Sequence, residues 1–153
     1  MVYRLIIVLF FTGVFMASCG QQDAKIPRLT FGDEIVISYH PDSAKRIVIR
    51  YAEEDTAYAL KTYYYRSGAK FMSGILYHGK RHGEWKAWGE NGNLMTTGHY
   101  INGVENGHKV VYYPNGNKRY EGEFKDDKRV GVWKFWLQDG TLAKEINYDE
   151  KED

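Results

Sequence analysis

The side chains of this sequence that could do chemistry include five histidines and one cysteine. His78 and His82 form a His-x₃-His pair, which binds a metal when both residues share one face of a helix. Here the pair straddles a His-Gly turn, and no carboxylate or thiolate is suitably placed to join it. No Ser-His-Asp set and no paired carboxylates stand out elsewhere. We therefore predict a protein that is not an enzyme and has no metal and no cofactor.

The residues best suited to binding form a series in which lysine and tryptophan alternate every 24 residues: Lys61, Trp85, Lys109 and Trp133. In a meander of hairpins such residues lie two strands apart, about 10 Å. Trp85 and Trp133 would then be two anchor points about 20 Å apart, with Lys109 between them. Tryptophan is enriched at binding hot spots, so these three residues are the predicted partner-binding positions. The alternative is that the rings only cover Gly98 and Ile146.

The same 24-residue step recurs throughout the chain and predicts its architecture. Three columns of residues keep one type at each step, and this invariance predicts packing: Gly68, Gly92, Gly116 and Gly140; Tyr64, Trp88, Tyr112 and Trp136; Tyr100 and Phe124. Turn residues such as Asn91-Gly92 separate runs rich in aromatic and β-branched residues, the strongest short-range signal of a hairpin. We predict an all-β fold, an elongated antiparallel meander of repeated hairpins, with no substantial helix in the mature chain.

The register of the second hairpin can also be predicted. A two-residue Asn91-Gly92 loop would place Trp88 opposite Met95, Trp85 opposite Gly98 and Tyr100 opposite Gly83. A three-residue loop with a bulge would shift this pairing. The predicted organisation is a signal peptide at 1–18, a lipidated cysteine and flexible tether at 19–28, a capping hairpin at 29–58, and four repeats at 59–82, 83–106, 107–130 and 131–153.

The first nineteen residues indicate an export signal. Arg4 precedes an apolar run from Leu5 to Ala17, which is shorter than the roughly 20 residues of a membrane span. Met16-Ala17-Ser18-Cys19 resembles the lipobox of bacterial lipoproteins, and this resemblance implies that Cys19 is acylated and becomes the first residue of the mature chain. An ordinary secretory peptide or an uncleaved anchor helix are the alternatives. In Gram-negative lipoproteins, an Asp directly after the lipidated cysteine commonly signals retention in the inner membrane. Gly20 stands at that position here, so the resemblance favours anchoring in the outer membrane.

The composition excludes several classes of protein. There are 21 Lys and Arg against 20 Asp and Glu, so the chain has no electrostatic footprint for nucleic acid. A single Cys excludes an intramolecular disulfide and a cysteine-rich metal site.

The pattern Gly-x-Trp-x-x-Trp/Tyr-x-x-Asn-Gly, which begins at Gly83, resembles the MORN-repeat variant found in bacterial proteins. The resemblance extends from about Tyr58 to the carboxyl end and implies a hairpin array that binds proteins or lies near membranes. Many such proteins carry a YwqK-like antitoxin label. We therefore predict a membrane-anchored, non-enzymatic scaffold for protein–protein interaction in the bacterial cell envelope, with an unidentified protein partner. The alternatives are a module that binds glycans or peptidoglycan, and an antitoxin or immunity protein that neutralises a toxin.

Overall fold

The structure is a computed structural model that describes residues 26–149. Its strands, all antiparallel, are β1 (Ile35–Tyr39), β2 (Lys45–Tyr51), β3 (Tyr58–Tyr64), β4 (Lys70–Tyr77), β5 (Lys80–Trp88), β6 (Leu94–Ile101), β7 (Val104–Glu105), β8 (Gly107–Tyr112), β9 (Lys118–Lys125), β10 (Lys128–Trp136) and β11 (Leu142–Asn147). They form one sheet in which neighbours in sequence are neighbours in space, and only β7 pairs outside this path, with β6. No helix occurs between residues 26 and 149. The predicted all-β meander of hairpins is confirmed.

The sheet is a single layer that extends in the direction of its hydrogen bonds. Ten strands lie side by side, so the sheet is about 43 Å across at about 4.8 Å per strand. Among the described residues, no second layer packs on either face, and burial depends on side chains that cover one another within a face. Ile49, Ala59, Leu76 and Trp85 form the buried cluster of the first half, with Tyr63 and Met72 packed against it.

The loops inside the hairpins have three residues, and their geometry corrects part of the predicted register. The Gly89 N–H donates to Asn93 O over 2.8 Å, and the Gly92 N–H donates to Gly89 O over 2.9 Å. Only Gly92 has a positive φ, +81°, whereas the two-residue turn expected at Asn91-Gly92 requires positive φ at both positions. A bulge follows, so Trp88 pairs with Leu94 and the predicted Trp88–Met95 pair is wrong.

The side chain of Asn91 supports this loop. Its Oδ1 accepts a hydrogen bond from the Asn93 N–H at 3.1 Å, which holds the turn in a form that leaves positive φ to the glycine alone. The same bond recurs from Asn117 N–H to Asn115 Oδ1 and from Thr141 N–H to Asp139 Oδ1.

Beyond the bulge, the predicted pairs hold. Trp85 lies opposite Gly98, and Gly83 lies opposite Tyr100. The two-residue turns with positive φ at both positions lie between hairpins instead, where Asn102 has φ +52° and Gly103 has φ +94°. The sheet thus alternates two kinds of turn, one at each of its long edges.

The hairpin of β1 and β2 has the same three-residue loop as the repeats. The His40 N–H donates to Ala44 O, and the Ser43 N–H donates to His40 O. Ser43 has φ +67° at the position that glycine occupies in the other loops. The ring of His40 is bonded to Tyr64 O at 3.0 Å and Arg66 is paired with Asp42, so this loop is tied to the next one, 24 residues on.

Candidate functional site

The two predicted anchor residues lie in the core and not on the surface. Trp85 is 4% exposed and Trp133 is 0% exposed. Rings with so little accessible surface cannot act as exposed anchor points, so the predicted contacts of Trp85 and Trp133 with a partner have no surface available in this structure. Both rings are nevertheless held by the same local packing arrangement.

Each indole lies on a glycine of the preceding strand. A Cβ at Gly74 would be 2.3 Å from Cδ2 of Trp85, so only hydrogen leaves room for the ring. The strand bends to permit this, because Gly83 has φ +69° and the register between β4 and β5 shifts beside it. The indole N–H of Trp85 donates to Ile75 O over 2.9 Å, which satisfies the polar atom of a buried ring.

Trp133 repeats this arrangement 48 residues later. A Cβ at Gly122 would again be 2.3 Å from the Cδ2 atom of its ring, and Gly131 has φ +63°. The indole N–H donates to Glu123 O over 3.2 Å. Gly98 and Ile146, which the alternative interpretation placed under the rings, are the partners of Trp85 and Trp133 on the following strands. The rings lie instead on Gly74 and Gly122 of the preceding strands.

An arginine closes each indole from the other side. The Cζ of Arg81 lies 4.7 Å from the Trp85 ring centroid and 5.3 Å from the Tyr100 ring centroid. The Cζ of Arg129 lies 4.5 Å and 5.4 Å from the rings of Trp133 and Tyr148. Stacked guanidinium groups of this kind are stabilising and cover the aromatic ring. Sequence reasoning missed these arginines, although each stands four residues before its tryptophan.

The third member of the predicted site, Lys109, is placed differently. Glu105 occupies the position of the arginines and Lys109 that of the tryptophans, and their charged groups meet at 2.6 Å. Their side chains are 14% and 22% exposed, so the pair is largely covered. The Nζ of Lys109 also lies 5.3 Å from the ring centroid of Phe124. An ion pair therefore replaces the cation–indole stack in this hairpin, so the stack recurs after 48 residues although the hairpins and their loops recur every 24.

Two of the repeated positions that were predicted to be structural, one aromatic and one glycine, lie at the loop ends of the strands. Half-buried rings stand at the ends of the strands that lead into the loops: Tyr64, Trp88, Tyr112 and Trp136. The glycines of the loops all have positive φ: Gly68, Gly92, Gly116 and Gly140. Hydroxyl groups tie one loop to the next, since Tyr65 Oη donates to Trp88 O at 3.0 Å and Tyr113 Oη donates to Trp136 O at 2.9 Å.

A charged cluster fixes the amino-terminal hairpin. Glu34 accepts hydrogen bonds from Lys45 and Arg50, and these bonds lower the pKa of its carboxyl group. The hydrogen bond from Arg66 likewise lowers the pKa of Asp42. Both carboxylates lie at the surface, so they serve to orient the hairpin and contribute little to overall stability.

The histidines are packed into the fold separately. His82 is 8% exposed, and its ring centroid lies 5.4 Å from that of Tyr77. His99 Nδ1 is bonded to His108 O at 3.1 Å. Over residues 26–149, no three His, Cys, Asp or Glu residues are grouped so as to hold a metal ion.

Residues 1–25, which contain the predicted signal peptide and Cys19, lie outside the described residues. Within residues 26–149, no helix has the length and apolar character needed to cross a membrane. Ile26, in the predicted tether, packs its Cδ1 against Gly83.

Three segments of the sequence match the family model described as MORN repeat variant, at residues 81–102, 105–126 and 129–150. The segments begin at Arg81, Glu105 and Arg129, the residues that stack on or pair with the buried position of each hairpin. No curated protein matches the sequence.

Two solved structures of TarM are similar to part of this chain. One crystal structure is 10% identical with a TM-score of 0.41, and the match covers 63% of this chain and 20% of TarM. The other, a point mutant of S. aureus TarM in complex with Fondaparinux, alpha-GlcNAc-glycerol and UDP, is 11% identical with a TM-score of 0.42, covering 64% and 20%. The chain thus spans about a fifth of the length of TarM. What the sequence matches establish is that this chain contains three MORN-variant repeats between residues 81 and 150.

Proposed function

We propose that this chain is a lipid-anchored, non-enzymatic scaffold that binds another protein in the bacterial cell envelope. The observation that carries the proposal is the single-layer sheet. A sheet of about 43 Å without a second layer over its described residues leaves two broad faces for contact. MORN repeats are generally modules for protein or membrane interaction, which supports the same function.

The exposed apolar side chains favour contact with a protein. Ile35, Ile37 and Tyr39 project from the edge strand β1 and are 48%, 56% and 56% exposed. Val132 is 49% exposed on β10. Apolar residues on an edge strand are costly to leave in water unless a partner covers them.

The structure bears on the glycan-binding alternative but not on the antitoxin alternative. A glycan module would need exposed aromatic platforms, and Trp85 and Trp133 do not supply them because their rings are covered. Trp88 and Trp136 are half-buried, and the exposed tyrosines that could still serve this alternative are Tyr39, Tyr51 and Tyr148. Neutralisation of a toxin stays a prediction, attached to the antitoxin label of similar proteins. Anchoring through Cys19 at the outer membrane likewise stays a prediction from the lipobox resemblance.

Site-specific photocrosslinking in living cells tests the scaffold. A photoreactive amino acid replaces Ile37 or Val132 in the full chain, and Glu90 in an exposed loop serves as the matched control. We expect one discrete crosslinked protein from a sheet position and none from the loop. Equal, diffuse crosslinking from all three positions, or none from any, would contradict the proposal.

A further inference from the structure

The two halves of the repeat array build the same framework twice, but only one half fills it. Each half has an arginine stacked on an indole, a tyrosine beyond the arginine and a glycine beneath the ring. In the second half, Phe135 stands beside the indole, with ring centroids 6.4 Å apart. In the first half, the residue at that position is Ala87.

The smaller residue leaves a cavity of about 90 Å³. Ala87 lies opposite Met72 on one neighbouring strand and opposite Thr96 on the other, so all three face the same side of the sheet. Trp85 and Gly98 complete the apolar wall. The cavity is partly open to solvent, and its volume is several times the roughly 10–15 Å³ that one water molecule needs.

The filled half shows which group suits this position. Phe135 lies opposite Tyr120 and Lys144, the counterparts of Met72 and Thr96. Its ring centroid is 6.1 Å from that of Tyr120, and the Lys144 Nζ lies 5.2 Å from the Phe135 centroid. The framework therefore accommodates a six-membered ring, held by aromatic neighbours and a cation.

The open half has Thr96 in place of Lys144, but other cations stand near its cavity. Arg81 and Lys109 line the cavity at the same time as Trp85 and Ala87. The faces of aromatic rings carry negative potential, so these two cations complement a phenyl or phenol ring. Lys109 keeps its bond to Glu105 at 2.6 Å, which fixes the ammonium group beside the cavity without filling it.

We propose that this cavity binds the ring of a phenylalanine or tyrosine side chain supplied by the partner protein. The proposal rests on the scaffold function and names the partner's chemistry. The partner's ring would occupy the space beside Ala87 in the first half of the array, as the ring of Phe135 does in the second half. An aromatic side chain in a preformed pocket is the usual form of a binding hot spot.

The test titrates the full chain in detergent with p-cresol, which mimics a tyrosine side chain, and follows the indole N–H resonance of Trp85 and the methyl resonances of Ala87 and Thr96. We expect saturable shifts at these three groups. Cyclohexanol, of similar size but without a π system, should bind more weakly by about tenfold or more. Equal binding of the two probes would overturn the aromatic specificity.

Matched variants exploit the repetition. Ala87→Phe installs the ring that the second half already accommodates, and it should weaken p-cresol binding by about tenfold or more. Phe135→Ala opens the second half and should add a second saturable site, seen at the Trp133 indole. Ala87→Leu fills the cavity by another route if Ala87→Phe unfolds the sheet. Undiminished p-cresol binding in a folded, filled variant would overturn the proposal.

Crosslinking with the filled variant separates this proposal from the scaffold function. If p-cresol binds the cavity but neither chain crosslinks a partner, the scaffold function fails and the cavity stands. If the partner crosslinks equally to wild type and Ala87→Phe, the scaffold stands and the cavity is not its site.

Discussion

Gly74 and Gly122, which lie beneath the two indoles, should tolerate substitution less than any other residue of the sheet. Gly98, at the same position of another repeat, should tolerate substitution well. Gly122→Ala would place a methyl group 2.3 Å from a ring carbon of Trp133, and no real Cβ approaches an atom so closely. The ring must shift or leave. Gly98→Ala would place its methyl group 3.2 Å from a carboxylate oxygen of Glu105, whose flexible side chain can move away, and at the ordinary contact distance of 3.6 Å from a ring carbon of Tyr100.

The magnitudes follow from these contacts. Forcing extra volume into a packed site costs about 1–3 kcal/mol, and losing a buried aromatic side chain altogether costs about 3–5 kcal/mol. Alanine in place of glycine in a strand returns about 0.5–1 kcal/mol. We therefore expect Gly122→Ala to lower the free energy of unfolding by about 2–3 kcal/mol. Gly98→Ala should stay within about 0.5 kcal/mol of the parent chain.

Urea unfolding followed by circular dichroism gives both values under the same conditions. Combining Gly122→Ala with Trp133→Leu provides the control, because the penalty of the methyl group should largely vanish once no indole lies on the glycine. Equal destabilisation by Gly98→Ala and Gly122→Ala would refute the reasoning, since the glycines would then be needed for the backbone and not for the rings.

Three further outcomes are expected elsewhere in the chain. Ser43→Gly should stabilise the first hairpin by about 1 kcal/mol, because Ser43 has φ +67° and glycine adopts this conformation without strain; a lower melting temperature would contradict this. Cys19→Ser should move the protein from the membrane fraction to the soluble fraction, and retention in the membrane fraction would count against lipid anchoring. Hydrogen bonds from Lys45 and Arg50 lower the pKa of Glu34, so their stabilisation is present above the ordinary pKa of 4.5 and is lost as the pH falls through the lowered value. Amide exchange of β1 should accelerate over that acidic range in the parent chain and not in Glu34→Gln.

The sequence alone predicts the repeat, the strand order and part of the register. The 24-residue step fixes which residues are equivalent, and Trp85–Gly98 and Gly83–Tyr100 are paired as predicted. The loop at Asn91 was not predicted correctly, because the Asn-Gly sequence suits either loop length. The hydrogen bond from the Asn93 N–H to the Asn91 side chain, which supports the longer loop, is visible only in three dimensions.

The burial of the indoles could not be predicted from the pattern of residue types. In a single-layer sheet an alternating strand predicts which side a residue faces but not whether anything covers it. Trp133 is covered because the bend at Gly131 lets the ring lie on Gly122, and because Arg129 closes it from above. The signal that was available is the residue four positions earlier. It is arginine before each of the two tryptophans and Glu105 before Lys109, whereas Ala57 precedes Lys61.

That alternation leads to a last prediction, in which the ion pair is exchanged for a stack. Gly98 is the counterpart of the glycines beneath the indoles, and the atom nearest to a Cβ there would be a Glu105 carboxylate oxygen at 3.2 Å and not an indole carbon. Lys109→Trp alone leaves the largely covered Glu105 without its cation, which costs about 1–3 kcal/mol. Adding Glu105→Arg should recover this loss, because the new guanidinium can stack between the new indole and Phe124.

A double-mutant cycle of urea unfolding measures the coupling, which should favour the double variant by at least about 1 kcal/mol over the sum of the single changes. Additive losses would show that the third hairpin cannot adopt the stack. Its φ of +111° at Gly107, compared with +63° at Gly131, would then be the physical reason, because the backbone bends differently before the ring position. A favourable coupling would instead show that residue choice at these two positions, and not the backbone, sets the 48-residue alternation.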